Sequence, residues 1–241
     1  MHNKNNNWIV FKSMVENYAK SNTYIGSGNP NAQILLVGKE GSNPNDSKEA
    51  NAEKNIKYWQ QQLEKGVVPK HESLFEGFPN GHTWSKYQKL YDYIYENTNN
   101  AGTNFENNVF TTEMNDTPHK RTSEAQNQPD FKNNIKNRKE RFFKEAFIQN
   151  FEVVVLACSN YIQNVGLGGE WEINSIFDVT WDKKHIIEYN HKKYRFDTHY
   201  NENKTKLVIH CRQLSGSIPN KYLQDMGEVI REFIQSSKTE N

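Results

Sequence analysis

One apolar run followed by a polar turn decides the fold of this chain, and it reads Ala32-Gln33-Ile34-Leu35-Leu36-Val37-Gly38-Lys39-Glu40-Gly41-Ser42-Asn43-Pro44. Residues 34–37 are strand formers and too few for a helix, which predicts a strand buried on both faces, as in parallel sheets. The polar turn follows the carboxyl end of this strand, where open α/β sheets bind their ligands. It matches neither the G-x-x-x-x-G-K-[ST] nor the G-x-G-x-x-G consensus of nucleotide sites.

Composition limits the classes of protein to which the chain can belong. The chain has 241 residues, of which 34% are hydrophobic, and this is enough for one α/β domain with long polar loops. The formal net charge is +1, so a surface that binds nucleic acid must be a local patch. The first seven residues are polar, and no apolar run approaches the ~20 residues of a membrane span. We therefore expect a cytoplasmic protein that does not enter a membrane.

Neither the cysteines nor the histidines predict a metal or redox site. Cys158 and Cys211 both lie in apolar, strand-like runs, which indicates buried, reduced thiols and not a disulfide. His185, His191 and His199 do not combine with carboxylates at the spacing of metal ligands on one element. We therefore predict no metal and no cofactor.

Helices and strands alternate along the chain. Amphipathic periodicity predicts helices around residues 8–18, 47–63, 83–94, 130–147 and 223–234. Apolar runs like that at residues 34–37 predict further strands at residues 108–112, 151–157 and 207–211. Two more runs flank Asn190-His191-Lys192-Lys193 and predict a hairpin before the last strand.

This alternation predicts the architecture. Four short strands between helices are typical of a three-layer α/β/α sandwich with a central four-stranded parallel sheet. Residues 1–241 would form a single domain, with residues 1–23 as a helical extension and residues 181–206 as an inserted hairpin. The loops after Val37, Thr112, Ala157 and His210 would meet at one edge of the sheet and form the site there.

The strand-end motifs occur in the order that one enzyme family uses. Gly38-Lys39-Glu40-Gly41 follows the first strand, Trp84 opens a helix, residues 108–113 form a strand with a polar end, and residues 210–215 end the last strand. This order resembles the uracil-DNA glycosylase superfamily, with its Gly-Gln-Asp-Pro, aromatic, Thr-Asn and His-Pro-Ser motifs. The resemblance covers most of residues 24–233. It implies base-excision DNA repair, in which the N-glycosidic bond of a flipped base is hydrolysed without a metal.

The resemblance also implies roles for individual residues. Glu40 takes the place of the catalytic Asp or Asn, where it would stabilise positive charge on the sugar and orient water. His210 would donate a hydrogen bond to the departing base, a role that a shifted register gives to Arg212 or Gln213. The base would be bound by Gly38, Lys39, Trp84, Glu113 and Asn115. DNA would be bound by Arg212, Gln213, Leu214 and Ser215, with Leu214 as a wedge.

Each catalytic candidate also has a purely structural interpretation. Glu40 would be an exposed loop residue paired with Lys39, and His210 a satisfied core histidine. Leu214 would be a hydrophobe at a helix cap, and Trp84 a core aromatic residue. For Glu113 and Asn115 the alternative is a strand-end cap. For Arg212 and Ser215 it is a role in a turn or a helix cap. The basic run at residues 132–144 is most simply a solvated helix face.

Two other classes of function remain open at this point. The protein would be a catalytically weak or inactive member that only binds nucleic acid or a nucleobase, or a small-molecule hydrolase that acts on nucleosides. Loss of turnover without loss of binding in Glu40→Gln would identify an enzyme, and a requirement for duplex DNA would exclude the small-molecule hydrolase.

Glu113 determines the predicted base preference. It falls where the resemblance places an Asn that pairs with the edge of uracil. An ionised Glu offers only acceptors and would face the O4 acceptor of uracil unfavourably. The sequence therefore predicts weak or no excision of uracil and better excision of a base that presents a donor.

Overall fold

A computed structural model of the chain describes residues 4–41, 47–66, 83–97, 104–163 and 171–239. The helices are α1 (Lys4–Ser21), α2 (Lys48–Lys65), α3 (Thr83–Tyr95), α4 (Thr122–Gln126), α5 (Phe131–Glu140), α6 (Ala146–Gln149), α7 (Glu172–Phe177) and α8 (Asn220–Thr239). The strands are β1 (Ser27–Gly28), β2 (Ile34–Gly38), β3 (Val109–Glu113), β4 (Val153–Leu156), β5 (Thr180–Tyr189), β6 (Lys192–Tyr200) and β7 (Leu207–Cys211). Single 3₁₀ turns occupy Phe105–Asn107, Phe142–Lys144 and Ser159–Tyr161. Predictions that involve Ser42, Asn43 and Pro44 lie outside the described residues.

The strands within these ranges form one mixed sheet in the order β1-β3-β2-β4-β7-β6-β5. The pairs β2–β3, β2–β4 and β4–β7 are parallel. The pairs β1–β3, β6–β7 and β5–β6 are antiparallel. The predicted sandwich around a central four-stranded parallel sheet is therefore wrong, because the sheet has seven strands and antiparallel pairs extend it at both ends.

The hairpin accounts for most of the difference. It is not an insertion beside the sheet, because β6 pairs with β7 from Phe196 opposite Cys211 to Tyr200 opposite Leu207. Residues 197–199 of β6 are Asp, Thr and His, and all three are buried. Buried polar residues interrupt the apolar pattern by which a core strand is recognised, so the sequence predicted only the outer part of the hairpin.

The hairpin turn is also shorter than predicted. Only Asn190 and His191 lie between the paired strands, and both have positive φ angles of 48° and 58°. Two consecutive left-handed residues are typical of a type I′ turn, which matches the twist of a long two-stranded ribbon. The two lysines that follow this turn therefore belong to β6.

β1 is the strand that the sequence did not predict at all. Ser27 and Gly28 pair with Thr111 and Phe110 of β3. A Cβ atom on Gly28 would lie 2.2 Å from the carbonyl oxygen of Val109, so only glycine allows this approach. Two residues are too few to show a strand pattern in the sequence, and the glycines in this segment favour a turn.

The central strands are buried on both faces, and their side chains alternate between two hydrophobic clusters. Leu35 and Val37 of β2 pack in one cluster, together with Phe11 of α1 and Trp59 of α2. Their neighbours Ile34 and Leu36 pack in the other cluster, which contains residues of α3 and α8. Helices thus cover both faces of β2. None of the helices in the described ranges combines the length and the apolarity that a membrane crossing requires.

The basic segment that follows Asp130 is neither one helix nor a fully solvated face. α5 ends at Glu140, and a 3₁₀ turn and α6 follow it. Arg138, in α5, is only 2% exposed. Its guanidinium group lies 3.4 Å from the centroid of the Phe142 ring, beneath the sheet edge. The solvated-face interpretation is therefore wrong for Arg138.

Arg138 connects the end of β3 to the chain before β1. Its guanidinium group donates to the carbonyl oxygen of Glu113 at 2.8 and 3.2 Å and to Oγ1 of Thr112 at 2.9 Å. It also donates to the carbonyl oxygen of Tyr24 at 2.8 Å. These four hydrogen bonds hold the carboxyl end of β3 in place.

Candidate functional site

The carboxyl ends of the four parallel strands lie side by side. Val37 of β2 is opposite Thr112 of β3 and Leu156 of β4, and Leu156 is opposite His210 of β7. Two strand spacings, about 10 Å, separate β2 from β7. Glu40, which follows β2, and His210 therefore lie at the same edge of the sheet.

Glu40 is held by two hydroxyl groups at this edge. Thr122 donates to its Oε1 at 2.8 Å, and Tyr161 donates to its Oε2. Burial and the hydrogen bond to Glu40 raise the pKa of Tyr161, so its hydroxyl stays protonated. Glu40 is half-buried and takes part in a hydrogen-bond network, unlike the exposed loop residue of the structural interpretation.

Lys39 is buried beside the same tyrosine. Its Nζ atom lies 4.9 Å from the centroid of the Tyr161 ring and 3.5 Å from Oδ1 of Asn160. Burial lowers the pKa of Lys39, and the charge of Glu40 opposes this effect. Lys39 thus places a desolvated amino group next to the Glu40 network.

The turn after β4 joins this network to the end of β7. Ser159 has a left-handed φ angle of 49°, a conformation that costs roughly 1–2 kcal/mol for a residue with a side chain. Its carbonyl oxygen lies 2.9 Å from Nε2 of His210, and its Oγ accepts a hydrogen bond from the backbone N–H of Gln213 at 3.0 Å. The loop after β7 thus holds the turn that carries Tyr161.

This contact decides what His210 is able to do. Burial lowers the pKa of His210, so the ring is neutral at pH 7 and carries one proton. That proton lies on Nε2, where it is donated to the carbonyl oxygen of Ser159. The same proton is therefore not available for a departing base. The structure favours the interpretation of His210 as a satisfied histidine that positions the turn after β4.

Glu113, the last residue of β3, lies directly over Gly38. A Cβ atom on Gly38 would be only 2.2 Å from Oε2 of Glu113. This Oε2 is buried and has no hydrogen-bond partner among the described residues. The carboxyl group therefore occupies the space above the end of β2 with one oxygen unsatisfied.

The protonation of Glu113 differs from the prediction. Burial and, to a smaller extent, the charge of Glu40 raise the pKa of Glu113 to about 8, although Arg138 opposes the shift. At pH 7 the carboxyl group is therefore mostly protonated. A protonated carboxyl group has both a donor and an acceptor, as an Asn side chain has. The premise that Glu113 is ionised is wrong at neutral pH.

The other predicted base-binding residues have structural partners. Asn115 is buried, and its Oδ1 accepts a hydrogen bond from the backbone N–H of Thr117 at 3.3 Å. Trp84 packs against Phe105 with 5.3 Å between the ring centroids. These contacts favour the strand-end cap for Asn115 and the core role for Trp84.

The predicted DNA-binding loop is only partly exposed. Leu214 is completely buried in the cluster that contains α8, which favours its packing role over that of a wedge. Arg212 is exposed, and its guanidinium group lies 5.6 Å from the centroid of the Tyr194 ring of β6. Gln213 and Ser215 are half-buried. Arg212 is therefore the residue of this loop that is best placed to contact a ligand.

The sequence did not identify three residues of this edge. Tyr161 follows an apolar strand, so the strand-end rule that selected Glu40 would also have selected it. Thr122 and Arg138 lie in separate helices, far from any strand end in the sequence. Only the folded chain brings them to Glu40 and Glu113.

A cleft of about 460 Å³ lies near this edge, between the start of α2 and the loop after β3. Its lining includes Lys48, His119 and Asp130 but neither Glu40 nor Glu113. Lys48 forms an ion pair with Asp116 at 3.1 Å. We therefore assign Lys48 a structural role and place the candidate site at the strand ends.

No trio of His, Cys, Asp or Glu side chains in the described parts of the chain is arranged to hold a metal ion. Cys158 and Cys211 are both buried free thiols, and burial raises the pKa of Cys158 to about 12.

The chain matches no protein-family model, and no curated protein or solved structure is significantly similar to it.

Proposed function

We propose that the protein binds a flipped base of DNA at the strand ends and hydrolyses its N-glycosidic bond. The observation that carries this proposal is the buried carboxyl group of Glu113, whose Oε2 has no partner among the described residues. An unsatisfied buried polar group costs roughly 1–3 kcal/mol. A ligand that completes its hydrogen bonds recovers this free energy.

The protonated carboxyl group selects the edge that it binds. Its O–H donor and its carbonyl acceptor pair with a base edge on which a donor and an acceptor are adjacent. The N3–H and O4 groups of uracil form such an edge. With a pKa of about 8 for Glu113, uracil is therefore an acceptable base at neutral pH, in contrast to the prediction from an ionised Glu.

The same groups suit the chemistry of base removal. As the bond between C1′ and the base nitrogen breaks, its electron pair leaves with the base, and an O–H donor from Glu113 stabilises the charge on the base oxygen. Glu40 stabilises the positive charge on the sugar and orients the water that forms the new bond to C1′. The proton of that water neutralises the base.

Binding without cleavage is the second candidate function. It is favoured by the hydrogen bonds of Glu40, because both of its carboxyl oxygens already accept a hydroxyl proton. Such a protein would bind the base edge through Glu113 and would show no turnover.

The pH dependence of uracil excision tests the proposal. We expect the single-turnover rate on a uracil-containing duplex to fall above pH 8, because the pKa of Glu113 is about 8 and its ionised form has no donor. The fall should approach about tenfold per pH unit. Glu113→Gln keeps a donor and an acceptor, so its rate should show only the smaller fall at high pH that ionisation of uracil itself causes. The rates are measured by alkaline cleavage of abasic sites.

Uracil itself loses a proton at high pH, which affects both proteins equally because they receive the same substrate. The difference between the two pH profiles therefore reports on Glu113 alone. Duplexes with hypoxanthine or xanthine extend the comparison to purine bases. Identical pH profiles for the natural protein and Glu113→Gln would refute the role of Glu113. Absence of excision for every base, with binding retained, would favour the second candidate.

Gly38 gives an independent test of the same site. In Gly38→Ala the new methyl group would displace the carboxyl group of Glu113, because it would meet Oε2 at 2.2 Å. We expect the affinity for uracil-containing DNA to fall tenfold to a hundredfold, roughly the effect of 1–3 kcal/mol in hydrogen bonding. Binding is measured by fluorescence anisotropy.

Gly41→Ala is the matched control for this variant. A Cβ atom on Gly41 meets nothing closer than Cβ of Pro118 at 3.9 Å. It should leave the affinity unchanged. Equal affinities for the two variants would show that the position of the Glu113 carboxyl group does not matter for binding.

A further inference from the structure

The β5–β6 hairpin extends beyond the sheet at the edge where the candidate site lies. The last pair between β6 and β7 joins Phe196 to Cys211, the final residue of β7. Residues 192–195 of β6 continue past this point and pair only with residues 186–189 of β5. Four residues span about 13 Å in a strand. The hairpin tip therefore rises about 13 Å above the carboxyl end of β7.

One face of this tip is anchored to the protein. Ile187 and Tyr194 are opposite each other and belong to the hydrophobic cluster that contains α8. The hydroxyl of Tyr222 donates to the carbonyl oxygen of Arg195 at 2.9 Å. These contacts support the tip as a fixed part of the sheet, so the charges that it carries have defined positions.

The exposed residues of the tip, and of the part of β5 that leads into it, are strongly basic. Residues 183–195 contain Lys183, Lys184, Lys192, Lys193 and Arg195 but only one acidic residue, so five positive charges and one negative charge give this segment +4. The whole chain carries +1, so the remainder carries 1 − 4 = −3. All five basic residues are exposed. The hairpin is thus one of two strongly basic segments of the chain, the other being the run at residues 132–144.

The tip is also connected to the loop after β7. The guanidinium group of Arg212 lies over the ring of Tyr194, 5.6 Å from its centroid. Arg212 follows β7 directly, two residues beyond His210. Arg212 thus places one further positive charge between the carboxyl end of β7 and the hairpin tip.

We infer that the β5–β6 hairpin tip binds the phosphate backbone of duplex DNA next to the nucleotide in the site. This inference rests on the proposed function, because it takes the DNA to be the molecule that carries the bound base. β6 and β5 lie three and four strand spacings from β2 in the sheet order, which is roughly 14–19 Å and corresponds to about four to six base-pair steps of 3.4 Å. The tip thus contacts phosphates several nucleotides from the base and adds affinity without reading sequence.

The triple variant Lys184→Ala, Lys192→Ala, Lys193→Ala tests the inference. Neutralising a phosphate contact lowers the slope of log K against log salt by ~0.9, so three contacts lower it by up to ~2.7. We expect a slope reduction of at least about 1 for a uracil-containing duplex between 50 and 200 mM salt. The control is Lys12→Ala, Lys20→Ala, Lys57→Ala, which removes three exposed lysines from α1 and α2.

Excision of uracil from a trinucleotide separates the two proposals, because this substrate is too short to reach the tip. The hairpin variant should excise it at the natural rate. If the hairpin triple variant and the control triple variant show the same salt dependence of binding, the hairpin inference is overturned, whatever the excision rates are. A reduced slope together with no excision by any protein would refute the glycosylase and still support the hairpin as a DNA-binding surface.

Discussion

Glu40→Gln is expected to slow single-turnover excision of uracil on the order of a hundredfold to ten-thousandfold, the usual contribution of a positioned acid or base. The affinity for uracil-containing duplex should stay unchanged. The physical reason is that the amide cannot stabilise the positive charge that develops on the sugar, although it fills the same space. Excision is measured by alkaline cleavage of abasic sites, and affinity by fluorescence anisotropy.

A structural role of Glu40 would give a different result. Thr122 donates to Oε1 of Glu40 at 2.8 Å, so Thr122→Val removes one hydrogen bond and leaves the carboxylate in place. If Glu40 acts through its charge, Thr122→Val should keep most of the rate. Equal losses in both variants would indicate that the hydrogen-bond network, and not the charge, sustains the reaction. Unchanged turnover in Glu40→Gln would refute the enzymatic proposal.

Arg138→Met is expected to lower the free energy of unfolding by about 2–5 kcal/mol, because each buried acceptor left without its donor costs roughly 1–3 kcal/mol. The loss of the guanidinium group leaves the carbonyl oxygens of Tyr24 and Glu113 and the hydroxyl of Thr112 without their donor. Removal of a desolvated charge offsets part of this cost, since burial already lowers the pKa of Arg138. Urea denaturation at pH 7 measures the difference.

Lys136→Met is the matched control, because Lys136 lies on the same helix with a side chain that is 67% exposed. Its ion pair with Glu140 spans 3.9 Å at the surface, where such pairs contribute about 0–1 kcal/mol. A loss of stability in Arg138→Met no larger than that of the control would contradict the account of Arg138 as the residue that holds the end of β3.

The local sequence was sufficient to place the buried strands and the turns after them. The runs at residues 34–37, 108–112, 151–157 and 207–211 were predicted to be strands, and each overlaps a strand of the structure, although the third run is three residues longer than β4. The start of α2 near residue 47 was also predicted, and there Oγ of Ser47 accepts a hydrogen bond from the backbone N–H of Ala50. These features depend on residues that are close in sequence, which is why a pattern reveals them.

The extent of the sheet was decided by the tertiary structure. β6 buries Asp197, Thr198 and His199 between neighbouring strands, and the side chains of Asp197 and Thr198 have hydrogen-bond partners in β5. One of these partners is the indole N–H of Trp181, which donates to Asp197 at 3.3 Å. A polar strand can therefore lie in the core when other parts of the folded chain supply its hydrogen-bond partners. Its own sequence resembles that of an exposed segment, so a sequence pattern does not reveal it.

The protonation of the candidate site was likewise decided by tertiary structure. The sequence alone determined that one carboxyl group ends β3 and that another follows β2. Whether Glu113 carries a charge depends on its burial over Gly38 and on its neighbours Glu40 and Arg138, which come from three different parts of the chain. A pKa responds to the dielectric environment and to charges in space, so the donor that Glu113 offers at pH 7 exists only in the folded protein.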